Sequence, residues 1–220
     1  MARPHINLIL HRLIQAYGDR KWNRRLEPVG ELVQTILSQN TSDTNSRRAY
    51  KSLISRLGGW HNIAMAKPGR IADAIRNGGL ADIKAAYIKN ALTALEKERN
   101  GFDLQFLKKM DVEEARRWLL NLPGVGMKTA SCVLLFSLGM PAFPVDTHVF
   151  RVAGRLGLID VKLSVNAAHT AMERLVDAGD IYRCHVLLID HGRRTCKARN
   201  PLCRTCVLAD ICPSYKLFVK

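Results

Sequence analysis

Apolar residues recur at helical spacing along most of this chain of 220 residues. Residues 6–17 carry theirs three and four positions apart, and Gly18 follows where such a helix would end. Pro28 is a favourable first residue for the next helix, which the polar residues 38–42 interrupt. Asp43 is the predicted N-cap of a third helix. This part of the chain is therefore expected to be helical, with short polar connections.

The same spacing continues through the rest of the chain, and no stretch alternates with the period of two that a strand would show. One long helix is predicted to end at Arg99. Its apolar face would contain Ile83, Tyr87, Ala91 and Leu95. The other helices predicted here are 68–76, 111–120, 129–138, 147–156, one capped by Ser164, and 181–190. We therefore predict an all-α fold.

The segment LPGVG at 122–126 separates two of these helices by a sharp turn. Before it, Asp111 is the predicted N-cap and Glu114 stands at the matching capping-box position. Within it, proline fixes one φ angle, and two glycines permit positive φ and the close approach of another molecule. The pattern predicts helix, tight hairpin, helix. An ordinary helix connection and a backbone site for a phosphate group both fit this pattern.

Charge and composition narrow the class of protein. Lysine and arginine number 34 against 19 acidic residues, a net charge of +15, and 47% of the residues are hydrophobic. The excess of positive charge favours a polyanionic partner such as nucleic acid, with a merely solvated basic surface as the alternative. The N-terminus shows no signal sequence and no long apolar run, so we expect a cytoplasmic protein without a membrane segment.

Four of the six cysteines lie close together near the C-terminus. They are Cys196, Cys203, Cys206 and Cys212, with the spacing C-x6-C-x2-C-x5-C. In a cytosolic protein such a group indicates a metal site rather than disulfides, and the spacing alone leaves zinc and an iron–sulfur cluster open. Cys132 and Cys184 lie on apolar helix faces and are interpreted as core residues.

The segment LPGVGMKTASCVLLFSLGMPAFPVDTHVFRVAGRLGL, beginning at Leu122, resembles the endonuclease III family of DNA glycosylases. The cysteine spacing is similar, gap for gap, to the [4Fe–4S] loop of that family. The resemblance implies two helical domains flanking a DNA-binding cleft. Residues 28–140 would form a six-helix domain with the helix-hairpin-helix, and residues 1–27 with 141–220 an iron–sulfur cluster domain. The four cysteines would then hold a [4Fe–4S] cluster.

The same resemblance implies an activity. Lys128 corresponds to the lysine that attacks the deoxyribose C1′, and Asp146 to the aspartate that supports this step. The protein would be a bifunctional DNA glycosylase with AP lyase activity. It would flip a damaged base, most readily an oxidised pyrimidine, out of double-stranded DNA and then cleave the strand by β-elimination. The expected partner is duplex DNA containing a damaged base or an abasic site, bound by a monomer associated with the nucleoid.

Two further segments are implied to contact DNA. In the family, the loop corresponding to 38–42 fills the gap left by the flipped base, so Gln39 or Asn40 would take that role; a solvated loop is the alternative. Leu80, on a glycine turn, would be a wedge in the base stack, or else only the residue that starts the next helix. The remaining DNA contacts implied are Leu122, Gly124, Gly126, Thr129, His148 and Arg193.

Departures from the family pattern leave the substrate open. Met127 stands where endonuclease III commonly has a basic residue, and residues 38–41 are intermediate between its loop and that of mismatch adenine glycosylases. The region 80–158 is also similar to plant 5-methylcytosine glycosylases. A mismatch or modified-pyrimidine glycosylase, with or without lyase activity, is therefore the alternative within the superfamily. A non-enzymatic helix-hairpin-helix DNA-binding protein is the alternative from another class.

Overall fold

The computed structural model describes residues 6–219. Met1–His5 and Lys220 lie outside the described residues. The first residues of the predicted cluster domain, and part of the N-terminal segment in which no signal sequence was predicted, therefore lie there as well. All regular secondary structure in the described range is helical, so the predicted all-α fold is confirmed. No helix within that range is long and apolar enough to cross a membrane.

The α-helices are Ile6–Tyr17, Pro28–Leu37, Asp43–Leu57, Trp60–Met65, Pro68–Ile75, Ala81–Arg99, Val112–Leu120, Met127–Cys132, Thr147–Arg155, Val165–Leu175, Ile181–Arg194 and Tyr215–Phe218. Short 3₁₀ segments are Arg76–Gly78, Gln105–Lys109, Ala178–Asp180, Cys203–Thr205 and Ala209–Ile211, and Val133–Leu138 is a π-helix. The chain divides into two compact units, one from Arg24 to Met140 and one that joins Met1–Asn23 with Pro141–Lys220.

In the unit Arg24–Met140, the helix Pro28–Leu37 forms much of the core. Its Val29, Leu32, Val33 and Ile36 are fully buried. The neighbouring helices pack around it, and the π-helix Val133–Leu138 lies against it with all six of its residues buried. Burial of these apolar faces supplies the main stabilising free energy of the unit.

In the other unit, the helix Ile6–Tyr17 packs on Ile181–Arg194, which also contacts Thr147–Arg155. The Tyr17 hydroxyl is 2.9 Å from His191 Nδ1, which ties the first helix to the last turn of Ile181–Arg194. Segments from both ends of the sequence therefore share one core, which is why this unit is discontinuous in the chain.

Several helix ends differ from the sequence-based prediction. Ser42, not Asp43, is the N-cap of Asp43–Leu57, because its side chain accepts the Asn45 amide hydrogen at 3.2 Å. The helix predicted for 181–190 continues to Arg194, because the polar residue His191 is buried in the packing of this helix. The helix Trp60–Met65 was not predicted; it has only six residues and no side-chain cap to reveal its start.

Two other predictions need correction. The helix predicted for 129–138 begins two residues earlier, at Met127, because Gly126 adopts the extended conformation of an N-cap, and it becomes π-helical at Val133. The buried face of Ala81–Arg99 is also rotated from the predicted one. Ile83 and Tyr87 are 52% and 38% exposed, whereas Lys84 is 1% exposed.

Candidate functional site

The turn after the helix Val112–Leu120 is fixed at both of its sides. The helix begins with a complete capping box, in which Asp111 accepts the Glu114 amide hydrogen at 2.8 Å and Glu114 accepts that of Asp111 at 3.2 Å. Gly124 has a φ of 79°, and a Cβ there would lie 2.9 Å from three carbon atoms of Tyr87. Glycine is thus required for the left-handed conformation and for the packing of Tyr87 on its α-carbon.

Lys128 is the second residue of the helix Met127–Cys132, directly after this turn. Gly126, the N-cap, has no side chain to bond the first amide groups of the helix. The Lys128 side chain is half-buried, and within residues 6–219 its ammonium group makes neither a hydrogen bond nor an ion pair. Its nitrogen is therefore available to an incoming molecule, because no carboxylate holds it.

The other predicted residues of the hairpin fall into two groups. Gly124 and Gly126 are exposed and present backbone to the solvent. Leu122 and Thr129 are 2% and 3% exposed, so their side chains belong to the core. The Leu122 carbonyl accepts the Val125 amide hydrogen at 3.1 Å, which closes the turn. The two buried residues maintain the hairpin shape, while the glycines provide its accessible surface.

Asp146 is the N-cap of the helix Thr147–Arg155. Its Oδ1 accepts the Val149 amide hydrogen at 2.7 Å, and its Oδ2 makes no hydrogen bond within the described part of the chain. One carboxylate oxygen is thus held in place by the helix, and the other is left for a partner.

The segment before Asp146 is anchored by the helix Val165–Leu175. Phe143 donates its amide hydrogen to Glu173 Oε1 at 2.7 Å, and its carbonyl oxygen accepts a hydrogen from His169 Nδ1 at 2.8 Å. Because His169 is fully buried, this anchor is shielded from water.

His148 and Arg193 lie near the end of the helix Ile181–Arg194. Arg151 donates from Nη2 to the Gly192 carbonyl at 2.8 Å, and the same nitrogen is 3.1 Å from His148 Nδ1. Because guanidinium groups only donate, Nδ1 accepts and the proton of a neutral His148 is on Nε2. His148 is half-buried, and Arg193 is exposed in the last turn of its helix.

Asn40 and Leu80 share an unusual backbone conformation. Both have a φ of 51° and both are exposed, Leu80 by 50% of its surface; Gln39 is half-buried. Asparagine tolerates the left-handed region, but for leucine it costs about 1–2 kcal/mol. Strain of this kind on an exposed apolar side chain is typical of a functional position.

The thiols of Cys196, Cys203, Cys206 and Cys212 line one cavity together with apolar side chains such as Leu156, Leu202 and Phe218. Burial is the main cause that raises the pKa of the Cys206 and Cys212 thiols, and the neighbouring thiols raise it further. Within the described residues, no three His, Cys, Asp or Glu side chains converge on a point suited to one metal ion. The sulfurs instead surround a space.

Two family models match the chain. Residues 33–178 match the HhH-GPD superfamily base excision DNA repair proteins. The chain belongs to this superfamily. In addition, residues 196–212 of this HhH-GPD protein match the iron–sulfur binding domain of endonuclease III, a range that begins and ends at two of the four cysteines.

Curated relatives and solved structures agree with this assignment. The HhH-GPD protein is 37% identical to an endonuclease III of Sulfolobus acidocaldarius over 186 residues, covering 84% of its own chain and 81% of the relative. It is 41% identical to a putative DNA glycosylase of Arabidopsis thaliana over 162 residues, covering 74% of its own chain and 55% of that relative's length.

The fold is also that of a solved trapped endonuclease III–DNA covalent intermediate, with a TM-score of 0.86, 28% identity and full coverage of both chains. The resemblance seen in the sequence is therefore confirmed, and the HhH-GPD protein is a base excision repair DNA glycosylase.

The cofactor expectation is confirmed as well, since the chain carries the cluster-binding domain of endonuclease III. The residues fit a [4Fe–4S] cluster because it takes one thiolate on each of four irons and so needs sulfurs spread around a space. With the cluster bound, the positive charge of the irons would offset the burial that raises the pKa of thiols such as Cys206. Leu208 donates its amide hydrogen to Cys206 Sγ at 3.4 Å, which further favours the thiolate.

Sequence reasoning missed two features of the site. The capping role of Asp146 was not recognised, although an aspartate directly before an apolar helical pattern is an N-cap signal. The burial of Lys84 was not recognised. Its spacing from Ile88, Ala91 and Leu95, at i+4, i+7 and i+11, places it on the buried face and was the available signal.

Proposed function

We propose that this protein is a bifunctional glycosylase with AP lyase activity, in which Lys128 is the nucleophile. The observation that carries the proposal is the unpartnered lysine placed directly after the glycine hairpin. A structural lysine in a half-buried position would be expected to bond a carboxylate or a carbonyl. The solved neighbour described as a trapped covalent intermediate with DNA supports a covalent step.

The proposed reaction begins with release of the base by Lys128. The Lys128 nitrogen forms a bond to C1′ of the deoxyribose while the bond from C1′ to the base breaks, and the base leaves with the electron pair and takes a proton. The sugar ring then opens at the C1′–O4′ bond, as the amine loses a proton and O4′ takes one, and the resulting Schiff base makes the C2′ protons acidic. Loss of one of them expels the 3′ phosphate, and the strand is cut by β-elimination.

We assign to Asp146 the stabilisation of the positive charge that develops at the sugar. Its Oδ1 is used by the helix cap, so Oδ2 is the oxygen that stabilises the cationic sugar or takes a proton from the attacking amine. A carboxylate already fixed by a backbone hydrogen bond needs little reorganisation during the reaction. The cap therefore orients the carboxylate as well as starting the helix.

The DNA contacts of the proposal follow from the exposed residues. The partner is double-stranded DNA with a damaged base or an abasic site. Asn40 or Gln39 fills the gap left by the flipped nucleotide, and Leu80 unstacks the neighbouring bases. We assign the backbone amides at Gly124 and Gly126 to a phosphate contact, and we assign Arg193 and His148 further contacts with DNA. The net charge of +15 supplies the general attraction to DNA.

We assign oxidised pyrimidines as the substrate class, and a monomer in the cytoplasm, associated with the nucleoid, as the working form. The resemblance to endonuclease III implies this substrate class, and the endonuclease III relatives support the resemblance. A thymine or uracil mismatch is the competing substrate, because Met127 departs from the pattern of that family.

Two experiments test the proposal. A duplex with one abasic site should be cut on the 3′ side, whereas binding without cleavage would contradict the lyase assignment. A panel of duplexes, each with one oxidised pyrimidine, mismatch or methylated base, then measures single-turnover excision. Fastest release of an oxidised pyrimidine supports the substrate class, and faster release of a mismatched base overturns it.

A further inference from the structure

Lys84 is a buried lysine whose charge is met only by backbone carbonyls. It is 1% exposed, and its ammonium donates to the Leu37 carbonyl at 2.9 Å and to the Gly78 carbonyl at 2.8 Å. Within residues 6–219 no carboxylate pairs with it. Burial lowers the pKa of Lys84, which reflects the cost of removing the charge from water. An apolar side chain of the same length would fill this space without that cost.

The two carbonyls belong to the ends of two different segments. Leu37 is the last residue of Pro28–Leu37, three residues before Asn40, and Gly78 ends a 3₁₀ turn two residues before Leu80. Carbonyls at helix ends lack intrahelical partners and favour a cation. Since both oxygens lie within 2.9 Å of one nitrogen, they are at most about 6 Å apart. Lys84 therefore brings these two chain ends together.

The backbone of Lys84 acts on the same turn. Its amide donates to the Leu80 carbonyl at 3.0 Å, so side chain and backbone of one residue hold both Gly78 and Leu80. A Cβ on Gly78 would lie 3.0 Å from Ala49 Cβ, which shows that the turn is packed closely against the helix following the polar turn. The turn at 78–80 is thus held from two directions.

We propose that Lys84 is a positioning residue that locks the polar turn 38–42 and the turn 78–80 into one rigid unit, so that Asn40 and Leu80 enter the duplex together. This inference rests on the proposed function, because it assumes that Asn40 and Leu80, the tips of the two turns, both contact DNA. Two loops that moved independently would each lose conformational entropy when DNA binds, whereas a preformed pair has already lost that entropy on folding.

The same helix provides a matched control. Lys89 also donates to two backbone carbonyls, Ala64 at 2.7 Å and Ala66 at 3.0 Å, but these lie at the end of Trp60–Met65, away from both proposed tips in the sequence. Lys84→Met and Lys89→Met each remove an ammonium group and keep a long side chain. A merely structural role of Lys84 predicts that the two variants behave alike in DNA assays.

The experiment uses a duplex that carries tetrahydrofuran, an abasic-site analogue, opposite 2-aminopurine, whose fluorescence rises when it is unstacked. Wild type and Lys89→Met should both raise the fluorescence at saturation. Lys84→Met should give a smaller rise, and should cleave a true abasic site about tenfold more slowly, since small misplacements are costly. Its affinity for undamaged duplex should stay within about twofold, because phosphate contacts dominate that binding. A wild-type fluorescence rise and cleavage rate in Lys84→Met would overturn the inference.

A second measurement applies if Lys84→Met does not fold. In the wild-type background, Asn40→Ala, Leu80→Ala and the double variant are compared for affinity to the tetrahydrofuran duplex. Coupled tips predict that the double variant loses less than the product of the single losses, and independent losses contradict the coupling. If the wild type neither binds nor cleaves abasic DNA, the proposed function fails and the inference with it; if it does both while the tips act independently, only the inference fails.

Discussion

The ring of Tyr87 packs directly on the α-carbon of Gly124, so that a Cβ at position 124 would lie 2.9 Å from the tyrosine. The contact joins the helix Ala81–Arg99 to the hairpin that precedes Lys128. The hairpin is thus supported by a neighbouring helix and does not depend on its own turn alone.

Replacing this glycine should therefore destabilise the hairpin. Gly124→Ala introduces both a left-handed alanine and an overlap with Tyr87, and we expect it to lower the free energy of unfolding by about 2–4 kcal/mol. Gly126→Ala is the control, because its backbone is extended and a Cβ there would meet no atom within 4 Å. Urea denaturation measures both. Equal stability of the two variants would show that the Tyr87 contact is unimportant.

The left-handed leucine leads to a second prediction. Leu80→Gly should leave the free energy of unfolding unchanged or raise it by up to about 1 kcal/mol, because glycine relieves the strain at a half-exposed position. The same change should weaken binding to abasic duplex, since the wedge is lost.

Asn100→Gly is its control, with a φ of 52° at the end of the same helix and no proposed DNA contact. Thermal denaturation and fluorescence anisotropy are the measurements. Unaltered DNA affinity in Leu80→Gly would remove Leu80 from the interface.

A third prediction separates the two roles of Asp146. Asp146→Asn should retain the helix cap, since asparagine caps as well as aspartate, but should slow excision by about 10²-fold or more as the carboxylate is lost. Asp146→Ala should in addition cost about 1 kcal/mol of stability. Ser164→Ala, which removes the 3.1 Å cap of another helix in the same unit, should match that stability loss without slowing excision. Wild-type single-turnover rates in Asp146→Asn would exclude a catalytic carboxylate.

The hairpin and two of the helix caps were predicted correctly because they depend on local sequence. Ser164 and the Asp111–Glu114 capping box bond amides only three residues away, so spacing alone identified them. The family was recognisable for a similar reason, since its hairpin and cysteine motifs are continuous in the chain, and the family models confirmed it.

What the sequence did not predict depends on distant parts of the chain. Helical spacing shows only that Lys84 shares a face with Ile88 and Leu95, whereas the carbonyls that accept its hydrogens lie 47 and 6 residues away, and no local pattern contains those contacts. The predicted buried face contained Ile83 and Tyr87, whereas both are exposed. Tertiary packing outweighed the periodicity there.

The cluster site gives a fourth prediction. Protein purified without oxygen should be brown and hold about four irons per chain. Cys203→Ala should lower the iron content and the thermal stability before it affects the chemical step. Cys184→Ala, which alters a buried thiol outside the cluster cavity, should keep the full iron content. Iron analysis and visible absorbance measure the cluster content, and zinc in place of iron would contradict the assignment of a [4Fe–4S] cluster.

Borohydride trapping reports on the covalent bond between Lys128 and the sugar. Adding borohydride during turnover of an abasic duplex should reduce the Schiff base and leave a protein–DNA adduct visible on a denaturing gel. Lys128→Gln should abolish this adduct while remaining folded, whereas Lys108→Gln, at an exposed lysine in another segment, should form it as the wild type does. Persistence of the adduct in Lys128→Gln would mean that another amine is the nucleophile and would contradict the assignment.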